Sequence, residues 1–380
     1  MREVWLDGTP ESLDRLRHAL SDALDGGPAV LPLDAHDPSA PALREGMAPG
    51  EPVEPGTAAI IATSGSTGAP KGVLLPATAL TASARATHER LGGEGHWLLA
   101  TPARYIGGLQ VLVRALLAGT EPAVLPPGPF RPDGFAEATA PLLKTSGPRY
   151  TAMVPTQLVR LLDAGGAGLD AARAFDRVIL GAAATPPALR ERAADAGVRI
   201  VPAYGMSETA SGCVYDGVPL SGVQVELADG RVLISGPVLA TGYRLRPTET
   251  AESFVDGKFL TSDEGRFDAD GRLEVLGRVD DMINTGGVKV PAGAVERVLA
   301  ACEGVREACV VGVPDAQWGE AVAAAVVAED PRTEVAPLRA AVRDALGAAA
   351  APKRIEFLDA LPLRGPGKVD RISVRDTLLP

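Results

Sequence analysis

The sequence predicts an α/β protein with strand-rich and α+β parts added, and three textures along the chain predict it. Between about residues 58 and 205 short apolar runs alternate with longer helical patterns, which implies helix-covered, mostly parallel sheets. After Gly222 the pattern becomes short alternating strands between glycine-containing turns, as in a small antiparallel sheet or barrel. From about Asp281 helix and strand patterns mix in a compact α+β region of about a hundred residues.

Taken in order, the apolar run 58–62 and the run 73–75 predict two strands joined by a loop. The alternation then predicts strand 97–100, helix 107–117, strand 123–125, strand 150–153, helix 156–164, strand 177–180, helix 186–196 and strand 199–202. Ligands of such sheets gather at the carboxyl ends of strands, where Tyr204-Gly205-Met206-Ser207-Glu208 falls. The strand-rich part contributes 223–227 and 231–234. The last part contributes helix 292–301, strands 307–313 and 322–327, helix 338–346 and strand 354–358.

The loop between the first two strands, Thr63-Ser64-Gly65-Ser66-Thr67-Gly68-Ala69-Pro70-Lys71-Gly72, is built for a polyphosphate. Small residues let backbone N–H groups approach anionic oxygens, hydroxyls add donors, and Lys71 adds a compact charge. It is not a Walker A loop, because Gly72 follows Lys71, and it joins strand to strand rather than opening a helix. A plain Gly/Ser surface loop is the competing reading. Lysine usage weighs against it: only 6 of the 37 Lys and Arg residues are Lys, yet Lys71, Lys289 and Lys368 all fall in conspicuous blocks.

With 380 residues, 46% hydrophobic and 22% charged, the chain has the length and composition of a soluble globular protein of two or three units. A net charge of −11 disfavours broad nucleic-acid or anionic-membrane binding. No signal-peptide core or membrane-length apolar run is present, so a cytoplasmic protein is expected. Cys213, Cys302 and Cys309 have no metal spacing, nor do His18, His36, His88 and His96, and no Gly-x-Ser-x-Gly elbow exists.

Four blocks stand in order: the 63–72 loop; Tyr204-Gly205-Met206-Ser207-Glu208-Thr209; Thr261-Ser262-Asp263 leading to Gly277-Arg278-Val279-Asp280-Asp281; and residues 362–371 around Gly367-Lys368. Together they resemble the adenylate-forming superfamily of acyl- and aryl-CoA synthetases, luciferases and peptide-synthetase adenylation domains, over roughly residues 58 to 375. Such enzymes join a carboxylate to the α-phosphate of ATP, release pyrophosphate, and then let a thiol displace AMP. The resemblance implies an AMP-binding domain over 1–279, with its β-rich subdomain at about 222–276. A mobile C-terminal domain would cover 280–380, hinged at Asp280.

The same resemblance implies residue roles. Thr63, Ser64, Ser66, Thr67 and Lys71 would hold the β- and γ-phosphates, Tyr204 would lie against adenine, and Gly65, Gly68 and Gly205 would belong to the same ATP site. Ser207 would donate to the α-phosphate, and Glu208 would hold Mg²⁺. Asp263 and Arg278 would bind ribose, Lys368 would bridge carboxylate and α-phosphate, and Gly286 and Gly287 would line the pantetheine tunnel.

Residues 90–100 and 206–220 further resemble actinobacterial o-succinylbenzoate-CoA ligases of menaquinone biosynthesis, which implies o-succinylbenzoate, ATP and CoA as substrates. Other aryl- or acyl-CoA ligases, carrier-protein-loading adenylation enzymes and a non-catalytic nucleotide binder are the alternatives. No carrier domain follows Pro380, which favours free CoA, and self-association is left open. Two departures from the pattern touch the acyl pocket: Tyr105 stands where His is usual, and Gly181-Ala182-Ala183-Ala184 replaces a more glycine-rich segment. Arg104, Arg114 and Ser211 are the candidate donors to the second carboxylate of that acid.

Overall fold

The computed structural model describes residues 1–64, 70–365 and 368–379; the side chains of Ser64, Pro70, Asp280, Arg364 and Lys368 also lie outside the described parts. Its contacts divide the chain into two units. The first takes in Met1–Ala184, Arg192–Glu226 and Leu233–Thr261; the second takes in Thr185–Glu191, Leu227–Val232 and Ser262–Pro380.

The alternating stretch forms the expected sheet in the first unit. Ala123–Val124, His96–Leu99, Arg149–Met153, Arg177–Leu180 and Ile200–Met206 run parallel in that spatial order. Both faces are covered, so these strands read as nearly continuous apolar runs rather than alternating ones, with Trp97, Leu98, Val178 and Leu180 all fully buried. The last strand outruns its predicted end at residue 202. Ser211–Tyr215 folds back antiparallel on it, pairing Met206 with Ser211 and Gly205 with Gly212, and so holds Tyr204 and Gly205 extended.

A second sheet of this unit orders Arg2–Leu6, Val30–Asp34, Thr57–Ser64, Pro70–Pro76 and Gly242–Tyr243. Its first two strands and the helix Pro10–Leu24 are not among the elements read from the sequence. The helix has a clear start, with Thr9 accepting from the Ser12 N–H at 3.2 Å and proline in the first turn, and it buries Leu16 and Leu20. Thr57–Ser64 and Pro70–Pro76 are antiparallel with Thr63 opposite Lys71, the strand-to-strand connection that the sequence implies.

Arg244 fastens this sheet to residues 47–54. Its side chain is fully buried, and it donates to the carbonyls of Met47 (3.1 Å), Ala48 (3.0 Å), Glu51 (3.0 Å) and Pro52 (2.6 Å) and to Glu54 Oε2 (2.8 Å). Removing the guanidinium strands five acceptors at once. Arg244→Met is expected to cost about 3–5 kcal/mol of unfolding free energy in urea titration. A loss under about 1 kcal/mol would mean that water replaces the clamp at no cost.

Where a small antiparallel sheet or barrel is expected, the chain forms a five-stranded sheet of order Gln224–Ala228, Arg231–Ser235, Lys258–Phe267 and Phe254–Val255, with Leu273–Arg278 also on Lys258–Phe267. The α+β part of the second unit orders Val288–Pro291, Met282–Thr285, Gly319–Ala328 and Val305–Asp315, with Arg354–Phe357 parallel to Gly319–Ala328. Alternation along Gly319–Ala328 sends Val322, Ala324 and Val326 to the face covered by Ala292–Ala300 and Val335–Leu346. Ala321, Ala323, Ala325 and Val327 go to the face covered by Arg371–Leu378.

Candidate active site

Lys71 emerges from the second strand of the 57–76 hairpin into a cluster of charge and aromatic surface. Its ammonium lies 2.7 Å from Glu249 Oε2 and 5.1 Å from the centroid of the Tyr243 ring. Glu249 also takes Arg246 at 2.6 Å, and these cations hold its carboxyl below the usual range, the Lys71 hydrogen bond first. Tyr243 pairs with Val73 in the sheet and donates its hydroxyl to Glu208 Oε1 at 3.0 Å. Lys71 and Glu208, far apart in sequence, thus share one aromatic ring. Tyr243, Arg246 and Glu249 carry this arrangement and are not read from the sequence, because the contacts with Lys71 and Glu208 join distant segments and leave no local signal.

Of the remaining loop residues, Thr63 donates to the Lys71 carbonyl at 3.4 Å. Ser64 ends its strand, with its side chain outside the described parts, and Gly65, Ser66, Thr67 and Gly68 lie outside the described residues.

Ser207 and Glu208 occupy a single 3-10 turn, Ser207–Thr209, at the carboxyl end of the parallel sheet. Backbone strain follows it: Ala210 has φ +49° and Ser211 φ +98°. Ser83 donates to the Ala210 carbonyl at 2.9 Å and Thr209 to the Ser211 carbonyl at 2.7 Å, which fixes the bend. Gly205 is required opposite it, since any Cβ there would collide with the Ser211 carbonyl. Gly181 follows Arg177–Leu180, and Ala182 behind it holds φ +69°, a conformation that glycine adopts more easily.

The two arginines proposed for the acyl pocket have opposite surroundings. Arg104 is ion-paired with Asp34 (3.4 Å) and Asp37 (2.5 Å) and lies over the Tyr105 ring at 4.5 Å. Arg114, on the helix Ile106–Leu117, is 1% exposed and has no carboxylate beside it: Nε and Nη2 lack partners among the described residues, as does Gln110 Oε1 one turn earlier. Its guanidinium lies 5.0 Å from the Trp97 ring. Burial pulls its pKa below the ordinary arginine value. A buried guanidinium with two nitrogens lacking partners among the described residues is costly for a core to hold.

The same cluster contains His88, whose Nε2 accepts from the Trp97 indole N–H at 3.3 Å and so belongs to a neutral ring. Burial, then the charge of Arg114, pushes His88 from 6.5 to about 4. Its folded pKa is depressed, so the unfolded chain binds the proton first as pH falls. The stabilisation is complete above about 6.5 and is lost progressively toward about 4, on the order of 3 kcal/mol in all. His88→Gln is expected to remove that slope from chemical denaturation measured across pH 4–7; an unchanged slope would assign it elsewhere.

In the second unit, Asp263 and Arg278 are register partners on adjacent strands, with Arg278 Nη1 3.7 Å from Asp263 Oδ1. Asp280 lies in the 3-10 turn Val279–Asp281, its side chain outside the described parts. Gly286 and Gly287 form the turn of the 282–291 hairpin; at Gly286 φ is +59° and a Cβ would strike the Trp318 ring. Lys368 pairs with Arg364 in a two-stranded hairpin, its side chain outside the described parts. No group of three or more His, Cys, Asp or Glu among the described residues forms a metal cluster.

The AMP-binding enzyme family matches residues 9–244, and the AMP-binding enzyme C-terminal domain matches residues 294–368. The chain belongs to the AMP-binding enzyme family. This bears out the resemblance to adenylate-forming enzymes. A probable 2-succinylbenzoate–CoA ligase of Mycobacterium tuberculosis is 42% identical over 366 residues, 94% of this chain and 93% of that protein. The 2-succinylbenzoate–CoA ligase of Enterococcus faecalis is 33% identical over 340 residues, 82% of this chain and 68% of that protein. Among solved structures, an arginine-to-lysine variant of E. coli MenE with bound OSB-AMS superposes with a TM-score of 0.79 at 25% identity, covering 99% of this chain and 87% of the other.

Proposed function

We propose that this AMP-forming acyl-CoA synthetase is an o-succinylbenzoate-CoA ligase acting in menaquinone biosynthesis. Arg114 carries the substrate assignment from the structural side. A buried guanidinium without a carboxylate partner is retained at a cost, and the acid has a second carboxylate that a planar, bidentate donor would recognise. Arg104, already paired with two aspartates, is the weaker candidate, and Ser211 carries no charge. The names of the relatives support the same acid.

In the reaction, one carboxylate oxygen of the acid attacks the α-phosphorus of ATP, and the bond to the β-phosphate oxygen breaks with release of pyrophosphate. The thiol of CoA, losing its proton, then attacks the acyl carbon and AMP leaves. Negative charge accumulates in the first step, so the residues assigned to it are donors and cations. Lys71 with Thr63, Ser64 and residues 65–68 would hold the departing phosphates, Ser207 would donate to the α-phosphate, and Lys368 would bridge the two reacting groups. Tyr204 would receive adenine, with Gly205 beside it in the nucleotide site, and Asp263 and Arg278 would receive the ribose. Rotation about Asp280, between an AMP-binding domain 1–279 and a C-terminal domain 280–380, would exchange Lys368 for the pantetheine side marked by Gly286 and Gly287.

Glu208 fits Mg²⁺. It is a single hard carboxylate oriented by Tyr243, and Mg²⁺ at nucleotide sites is held by one or two carboxylates with phosphate oxygens and waters rather than by an all-protein cage. The ion would neutralise phosphate charge there. No helix among the described residues is long and apolar enough to cross a membrane, and a cytoplasmic setting agrees with the substrates.

Pyrophosphate release across a panel of carboxylic acids, with and without CoA, tests the proposal. Release with o-succinylbenzoate, and thioester only when CoA is added, is expected. Turnover of benzoate or fatty acids without turnover of this acid would overturn the substrate. Thioester formation on a carrier protein but not on CoA would overturn the acceptor.

A further inference from the structure

The second unit contains a charged network outside the roles assigned above. Arg371 lies three residues beyond Lys368, at the first position of the helix Arg371–Leu378. Its Nη2 meets Glu296 Oε2 at 2.9 Å, its Nη1 donates to the Val310 carbonyl at 2.7 Å, and its Nε lies 3.4 Å from Asp281 Oδ2. Glu296 Oε1 accepts from the Val310 N–H at 2.8 Å. One guanidinium therefore joins the helix Ala292–Ala300, the strand Val305–Asp315 and the residue after the expected hinge, Asp280. Burial pushes the Glu296 carboxyl up against the pull of Arg371, and burial raises the neighbouring Cys309 thiol to about 12, leaving it neutral. The network is half-buried, with the Arg371 and Glu296 side chains 34% and 21% exposed, so losing one partner leaves the other only partly compensated by water.

The hairpin carrying Lys368 is anchored just beside it. The Asp370 N–H donates to the Pro362 carbonyl at 2.8 Å, its carboxylate caps the helix at Ile372 and Ser373, and Val374 and Leu378 are fully buried. Arg371 is the side chain that connects this anchor to Asp281.

We infer that Arg371, held by Glu296, is a positioning residue for Lys368: it braces the paired strands Leu363–Arg364 and Lys368–Val369 against Asp281, so that movement at the proposed hinge would carry the lysine into register. The inference rests on the role proposed for Lys368. A flexible lysine at the end of a slack hairpin would reach the site in too many places, and misplacement by about 1 Å costs on the order of 10²-fold in rate.

The test compares half-reactions in the full-length protein. Pyrophosphate release in a single turnover reads adenylation, and thioester formation from supplied o-succinylbenzoyl-adenylate and CoA reads the second step. Glu296→Gln and Arg371→Met are each expected to slow adenylation by about 10- to 100-fold, with the second step within about 3-fold of the unmodified enzyme. Glu296→Gln keeps the shape of the side chain and decides the matter if Arg371→Met does not fold. Equal loss of both steps, or unchanged adenylation in either folded variant, overturns the brace. Lys368→Ala separates the two readings: if it loses adenylation while Glu296→Gln does not, the brace fails and the ligase assignment stands. If Lys368→Ala adenylates normally, the role given to Lys368 fails and the brace fails with it.

Discussion

Arg114→Met is expected to lower kcat/KM for o-succinylbenzoate by about 10²-fold, the loss of a charge-assisted hydrogen bond of about 3 kcal/mol, while raising the resistance of the protein to urea. The two signs follow from one observation. Arg114 is buried without a carboxylate, so the folded protein carries its desolvation cost, and methionine fills similar space without a charge. A group that costs the fold stability and is nevertheless present is what a substrate-binding role would retain. An analogue keeping only the reacting carboxylate should lose much less activity in the variant, because it makes no use of the guanidinium. Arg114→Lys should fall between, since an ammonium keeps the charge but not the planar fork. If stability falls and both acids lose activity equally, Arg114 is a packing residue and the second carboxylate is read elsewhere.

Much of this arrangement was legible in the sequence because it is local. The alternation of apolar runs and helices between about residues 58 and 205 follows from strands covered on both faces, and the 57–76 hairpin follows from two apolar runs around a Gly/Ser loop. Paired groups brought together from distant segments were not legible. Arg104 and Arg114 look alike in the sequence, and what separates them is Asp34 and Asp37, which reach Arg104 from another part of the chain. The partner of Lys71 is Glu249, and the residue linking Lys71 to Glu208 is Tyr243; neither spacing nor composition announces that. The strand Ile200–Met206 outran its predicted end for the same reason, since its extension depends on the antiparallel return of Ser211–Tyr215. Long-range pairing fixes these features, and periodicity reads only the near neighbourhood.

Glu208→Gln should separate the two half-reactions from the nucleotide side. An amide is isosteric with the carboxylate and can still accept from the Tyr243 hydroxyl, so the turn Ser207–Thr209 should fold unchanged. It lacks the negative charge that would hold a hard divalent cation against the phosphates. Adenylation should therefore fall by roughly 10²- to 10³-fold, the scale seen when one preorganised electrostatic group is removed, and the Mg²⁺ concentration for half-maximal rate should rise. Thioester formation from supplied acyl-adenylate should stay close to normal, because pyrophosphate has already gone and little phosphate charge remains to neutralise. Tyr243→Phe provides the contrast. Burial, and then Glu208 itself, push the Tyr243 hydroxyl well above the ordinary tyrosine value, so it stays a neutral donor to Glu208. Its loss should cost about one hydrogen bond, roughly 1 kcal/mol or up to about tenfold in adenylation. A Glu208→Gln enzyme with normal adenylation and an unshifted Mg²⁺ dependence would remove Glu208 from the metal site and leave it as the carboxylate that anchors Tyr243 beneath Lys71.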